Sequence, residues 1–147
     1  IQKSKATPIH RKSFNPISHH LPSFAYYKRN HLIRKLGEQL VACQMIRNGH
    51  EIMETNYNIP KAGEIDIISR DKEGLVFSEV KTRTVKDGLY ESQRPINGKN
   101  SDRNMNIAQC YMDENELDCD FRFEIGEVEL GKGKPKITII QEALSVY

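Results

Sequence analysis

The 147-residue sequence predicts an α/β protein: a mixed sheet of about five strands flanked by helices, in the order α-β-β-β-α-β-β. Two observations support this fold class. Apolar residues recur at three- and four-residue steps in one early and one late segment, which is typical of amphipathic helices. Between and after these segments, short runs rich in β-branched and aromatic residues are separated by polar turns, which is typical of strands.

The first predicted helix covers residues 31–48, because Ile33, Leu36 and Leu40 repeat at helical spacing. Gly49 follows, where a left-handed residue often ends a helix. The later elements are a strand at 50–58, a hairpin of strands at 64–70 and 75–82, a helix at 102–115, a strand over 121–130 and a strand at 136–140.

The hairpin is predicted from two apolar, β-branched arms joined by the short polar turn 71–74. If Asp71 pairs with Gly74, the numbers of paired residues sum to 145. The pairs that follow are Ile68 with Phe77, Asp66 with Glu79 and Glu64 with Lys81, all on one face, with Ile65, Ile67, Val76 and Val80 on the other.

Asp66 and Glu79 are therefore expected to oppose each other directly, at a Cβ separation of about 5 Å. Two carboxylates at that spacing do not both ionise without a cation between them. Mg²⁺ or Mn²⁺ would resolve the repulsion, with the Val80 carbonyl as a further ligand and Lys81 beside the attacking water. The pattern predicts phosphodiester chemistry.

An ordinary surface hairpin is the alternative, in which Glu64 and Lys81 form a cross-strand ion pair. Against it, Ile68 and Phe77 make the charged face partly apolar, and charges beside buried aliphatic groups need partners. This favours a site.

Net charge is +2, but it is unevenly distributed. Residues 1–37 hold eight Lys or Arg and no Asp or Glu, whereas the other 110 hold 14 basic and 20 acidic residues. Positive surface for a polyphosphate must therefore be local, or the basic N-terminal segment must contribute it. The expected DNA contacts, with solvated cations as the alternative, are Arg83, Lys86, Lys99 and Arg103.

Residues 1–30 lack apolar periodicity and contain three prolines, so we expect a basic, disordered extension ahead of a folded domain at 31–147. A nucleic-acid-binding arm, an inert leader and an organelle transit peptide all remain open. No segment is apolar enough for a membrane span. Three cysteines without metal-site spacing indicate free thiols and a cytoplasmic protein.

Four segments together resemble the YraN family of small bacterial proteins: residues 35–42, Asn56–Tyr57, 63–68 and 75–83. Members of this family are similar to restriction endonucleases and Holliday-junction resolvases. The resemblance implies a restriction-endonuclease-like fold of the PD-(D/E)XK type, with Asp66, Glu79 and Lys81 as its signature and Glu38 as an additional catalytic acid.

The resemblance thus implies a metal-dependent endonuclease acting on DNA, with branched or damaged DNA as the expected substrate and RNA as the other option. A nucleic-acid-binding protein that retains the fold without cutting is the alternative. Ser78 and the segment after Lys86 depart from the family pattern, which bears on substrate contacts rather than on the acidic residues. The oligomeric state is open, with a dimer as one option.

Overall fold

The structure, a computed structural model, describes residues 24–86, 89–90 and 101–142. Its elements are α1 (Phe24–Arg47), β1 (Glu51–Ile59), β2 (Gly63–Asp71), β3 (Gly74–Lys86), β4 (Leu89–Tyr90), α2 (Ser101–Glu114), β5 (Phe121–Leu130) and β6 (Lys136–Glu142). The main sheet has the order β1-β2-β3-β5-β6, and the two-residue β4 pairs with β3. Strands β3 and β5 run parallel and the other pairs are antiparallel. The predicted mixed α/β architecture and element order are confirmed.

Helix α1 begins at Phe24, earlier than predicted. Residues 24–30 therefore belong to the helix and not to a disordered extension, while residues 1–23 lie outside the described residues. The prediction relied on apolar periodicity, but residues 26–29 of α1 are exposed, and an exposed stretch of helix needs none. After Pro22 the sequence contains no proline or glycine until Gly37, so nothing interrupts the helix.

The two helices cover opposite faces of the sheet. On the α2 face, Tyr111 packs edge-on against Tyr57 and Phe77, inside a cluster that also contains Phe123. On the α1 face, the core consists of Val41 and Met45 packed against Ile67 and Val128.

Two glycines let α1 approach the sheet closely. A Cβ at Gly37 would collide with the Thr82 hydroxyl, and a Cβ at Gly126 would lie 2.7 Å from Val41 Cγ1. Because α1 lies this close to the sheet, the side chains that follow Gly37 can reach the strands.

Within the described ranges, neither helix is both long and apolar enough to cross a membrane. All three cysteines are free thiols, as expected.

Candidate functional site

The hairpin register agrees with the prediction over its first half. Strands β2 and β3 pair from Asp71↔Gly74 to Ile67↔Ser78, and every pair has numbers that sum to 145. The ladder ends there, one pair before Asp66 and Glu79. Asp66 and Glu79 were predicted to face each other directly, but they are not paired in the ladder.

The break in the ladder comes from a local irregularity at Asp66. Ile65 belongs to the same core cluster as Ile68, whereas Ile67 packs on the opposite face. Strict alternation would place Ile65 with Ile67, so the predicted face of Ile65 is wrong. Opposite this point on β1, Asn56 has a φ of 53°, in the left-handed region.

The Asp66 carboxylate occupies the place where the ladder would have continued. Its Oδ2 accepts a hydrogen bond of 2.6 Å from the backbone N–H of Val80. In an uninterrupted ladder that N–H would bond to the carbonyl of Ile65, since the two numbers sum to 145. An oxygen of the Asp66 side chain thus replaces the backbone oxygen of Ile65 as the acceptor. The donor, Val80, lies between Glu79 and Lys81 in the sequence.

Glu79 and Lys81 form a loose ion pair, with 3.9 Å between the carboxylate oxygen and Nζ. Both side chains are partly buried. They alternate with Val80 and Thr82, which face α1, so they extend from the other face of β3. The alternative pairing of Lys81 with Glu64 is wrong, because Glu64 pairs with Arg34 of α1 at 3.3 Å.

Glu38 lies on α1, on the opposite side of the sheet from the side chains of Glu79 and Lys81. Its carboxylate accepts a hydrogen bond of 3.1 Å from the side-chain amide of Asn56, at the irregularity of β1. The left-handed conformation of Asn56 thus places its side-chain amide beneath α1, and the negative charge of Glu38 is one of those that raise the pKa of Asp66. The hydrogen-bond partner of Glu38 is Asn56 and not one of the other predicted site residues, so the role of Glu38 as a catalytic acid stays a prediction.

Burial is the main reason why the pKa of Asp66 rises to about 6. The hydrogen bond from Val80 opposes this rise, and the negative charges of Glu38 and Glu64 add to it, while Arg34 lowers the pKa. The Asp66 side chain is only 6% exposed. A cation would relieve this energetic strain because it favours the charged carboxylate.

A divalent cation fits some of these donors. In the part of the chain that the structure describes, no three Asp, Glu, His or Cys side chains are grouped to hold a metal ion. Mg²⁺, however, takes one or two carboxylates and completes its shell with water and phosphate oxygens. Asp66 keeps its second oxygen, and the Val80 carbonyl points to the same side of β3 as the Val80 N–H.

Comparison with known proteins identifies the family. Residues 37–128 match the uncharacterised protein family UPF0102. The chain belongs to this family. UPF0102 is the family of YraN type, so the predicted resemblance is confirmed.

Relatives in the UPF0102 family cover most of the chain. The UPF0102 protein of Acetivibrio thermocellus is 33% identical over 110 residues, which is 74% of this chain and 84% of the relative. That of Christiangramia forsetii is 34% identical over 113 residues, 77% of this chain and 93% of the relative. That of Alkaliphilus metalliredigens is 36% identical over 110 residues, 74% of this chain and 94% of the relative.

Among solved structures, the chain is similar to Pyrococcus furiosus SfsA in complex with Ca²⁺. The TM-score is 0.33 and the sequence identity is 10%, with 78% of this chain and 63% of that chain covered. A likeness of this size carries no functional conclusion.

The four basic residues expected to contact DNA have different surroundings in this UPF0102 protein. Arg83 forms an ion pair of 3.3 Å with Glu127 of β5. Arg103 of α2 lies over the start of β2, since a Cβ at Gly63 would come within 3.1 Å of its Nε. Lys86 ends β3, but its side chain lies outside the description, as does the whole of Lys99.

A second polar cluster in the UPF0102 fold was not anticipated. Arg122 of β5 donates to Asp71 Oδ2 at 2.7 Å and to Glu124 Oε1 at 2.9 Å. These bonds from Arg122 hold the pKa of Asp71 well below its usual range. Arg122 is the sole basic residue between Asn104 and Gly131 in the sequence, a run rich in acids, and this was the signal that could have found it.

The same cluster includes a serine and a histidine next to Asp71. His50 Nδ1 lies 3.1 Å from Ser69 Oγ, and His50 Nε2 lies 3.8 Å from Asp71 Oδ2. The residue types are those of a hydrolytic triad, but Ser69 has no exposed surface and its hydroxyl donates to the sulfur of Met45. A substrate cannot reach this serine. The cluster fastens the hairpin turn to β5 and to the end of α1.

Arg34 is the residue near Asp66 that sequence reasoning missed. It precedes Glu38 by four residues, which places both on one face of α1. That spacing was the available signal.

Proposed function

We propose that this UPF0102 protein is a metal-dependent endonuclease that hydrolyses phosphodiester bonds in DNA. The observation that supports it most is the hydrogen bond from the Val80 N–H to Asp66, which brings this carboxylate to the backbone between Glu79 and Lys81. Glu38 of α1 accepts a hydrogen bond from Asn56, and its negative charge adds to the rise of the Asp66 pKa. A catalytic acid on a neighbouring helix, a buried Asp and a Glu-X-Lys strand suit phosphoryl chemistry better than a purely structural hairpin does.

Asp66, Glu79 and the Val80 carbonyl would hold Mg²⁺ or Mn²⁺. The bound cation would polarise the phosphoryl group and lower the pKa of a water molecule. Lys81, whose ammonium lies 3.9 Å from Glu79, would orient that water and neutralise charge on the phosphate. Glu38 would keep the neighbourhood of Asp66 acidic, which favours cation binding.

Branched or damaged DNA is the proposed substrate, and the cytoplasm is the proposed location. The three free cysteines support the location, since thiols persist in a reducing compartment.

The experiment is cleavage of linear, nicked and four-way DNA by the purified chain with Mg²⁺ or Mn²⁺, and with EDTA. We expect cleavage with metal that Lys81→Ala reduces at least a hundredfold, because the ammonium is lost while the strand is kept. Lys72→Ala is the matched control, since Lys72 is exposed on the hairpin turn. Intact DNA of all three kinds with both metals contradicts the proposal.

A non-catalytic nucleic-acid-binding protein is the second candidate, favoured by one observation. The bond to Val80 gives the Asp66 carboxylate a use in closing the sheet that requires no metal. This candidate predicts DNA binding that Asp66→Asn and EDTA leave unchanged. Loss of cleavage without loss of binding in Asp66→Asn supports the nuclease instead.

A further inference from the structure

The N-terminal half of α1 runs past the sheet. Positions seven residues apart lie on nearly the same side of a helix, so Tyr27, Arg34 and Val41 share one side of α1. Val41 is fully buried against the sheet, whereas Tyr27 is 60% exposed. We name residues 26–36 of α1 the overhang; at 1.5 Å per residue it is roughly 15 Å long.

The C-terminal end of the overhang lies beside the candidate site. Arg34 forms a 3.3 Å ion pair with Glu64, and its charge lowers the pKa of Asp66. The Arg34 side chain is 63% exposed, and its guanidinium has more N–H donors than this single contact uses. A phosphate group close to Asp66 would therefore lie within reach of Arg34.

The charge of the overhang is opposite to that of the rest of the fold. It carries four exposed basic side chains and no acidic one: Lys28, Arg29, Arg34 and Lys35. The 110 residues after Gly37 have six more acidic than basic side chains. Tyr26 and Tyr27 add two largely exposed rings, in edge contact at 6.3 Å between centroids. Basic side chains interleaved with exposed tyrosines complement a chain of phosphates and bases.

We propose that the overhang binds the phosphate backbone of the nucleic acid on which the candidate site acts. This inference rests on the proposed function and extends it, because it assigns the contact to a surface on α1. Arg34 holds the strand near Asp66, and Lys28, Arg29 and Lys35 follow the backbone away from the site. The acidic body of the fold repels DNA elsewhere, so this helix determines how DNA is oriented.

The test is binding of fluorescent four-way DNA to the full chain in EDTA, so that affinity is measured without cleavage. The variant is Lys28→Glu with Arg29→Glu, and the matched control is Lys132→Glu with Lys134→Glu on the exposed β5–β6 turn. Both pairs change the charge equally. Acidic residues near a helix N-terminus are also compatible with the helix dipole, so the overhang variant should stay folded.

We expect the overhang variant to bind at least tenfold more weakly, with a salt slope smaller by about 2, because each lost phosphate contact removes about 0.9 from the slope. The control should change less than threefold. Equal losses in both pairs, or wild-type affinity in the overhang variant, overturn the proposal.

A second copy of the chain is the other possible occupant of the overhang, since Leu32 and Leu36 are 61% and 44% exposed. Sedimentation of Leu32→Ser with Leu36→Ser separates the two cases. A dimer that dissociates in this variant, with DNA affinity unchanged in the Lys28→Glu, Arg29→Glu variant, assigns the overhang to self-association and overturns our inference. The proposed nuclease activity is tested separately. If the overhang variant loses DNA binding and the wild-type protein never cleaves DNA, the result supports the overhang as a DNA-binding surface and contradicts the nuclease activity.

Discussion

Replacing Asp66 by Asn should make the metal-free protein more stable at neutral pH. Burial raises the pKa of Asp66 from 3.8 to about 6. One pKa unit corresponds to 1.36 kcal/mol, so the ionised carboxylate costs the fold about 3 kcal/mol. The unfolded chain loses its proton at lower pH than the folded chain, so wild-type stability falls as pH rises from 3.8 to 6 and stays lower above that.

Asn keeps an oxygen that can accept the Val80 N–H, but it carries no charge. We therefore expect the free energy of unfolding of Asp66→Asn to exceed that of the wild type by about 3 kcal/mol at pH 7.5 and by about 1 kcal/mol at pH 4.5. Urea unfolding followed by circular dichroism in EDTA measures both values. Asp118→Asn, at an exposed position, is the control and should match the wild type at each pH.

Two results would refute this reasoning. One is an Asp66→Asn protein less stable than wild type at pH 7.5, which would mean that the charged carboxylate has a stabilising partner. The other is a gain that does not depend on pH, which would remove ionisation as its cause. Adding Mg²⁺ extends the test: a cation bound at Asp66 raises wild-type stability with concentration and leaves the variant unchanged.

Three further predictions concern the fold and are checked by urea unfolding at pH 7. Arg122→Ala should cost about 2 kcal/mol, because it leaves partly buried carboxylates without their partner; a loss below 0.5 kcal/mol would show that this cluster is dispensable. Gly74→Ala should cost more than about 2 kcal/mol, since φ is 140° and a Cβ would collide with the Asp120 carbonyl. Gly37→Ala should destabilise by about 2 kcal/mol despite its better helix propensity, because its Cβ meets the Thr82 hydroxyl; equal or greater stability would mean that α1 can shift.

Sequence periodicity was sufficient for the elements and for half of the hairpin. The turn at Asp71–Gly74 determines the register, and alternation holds as far as Ile67, because each pair depends only on its neighbours. At Asp66 the register depends on Asn56, a residue of another strand in a left-handed conformation. Nothing within residues 63–82 reports that conformation, so the end of the ladder could not be predicted from the hairpin alone.

The candidate site, too, could be predicted only in part from the sequence. Asp66, Glu79 and Lys81 were proposed as site residues from local spacing, but the partners of the charged residues could not be predicted in this way. The sequence offered Lys81 as the partner of Glu64, whereas the position of α1 gives it Arg34. The start of α1 was missed because exposed turns carry no apolar pattern, and the overhang with its basic residues follows from that start.

The bond between Val80 and Asp66 also supplies a native spectroscopic reporter. An amide proton bonded at 2.6 Å to a carboxylate oxygen has a chemical shift that changes when the carboxylate gains a proton or a cation. The Val80 resonance therefore monitors the charge of Asp66 in the unmodified chain, without substrate and without cleavage. Occupancy at the candidate site can be followed separately from whatever reaction takes place there.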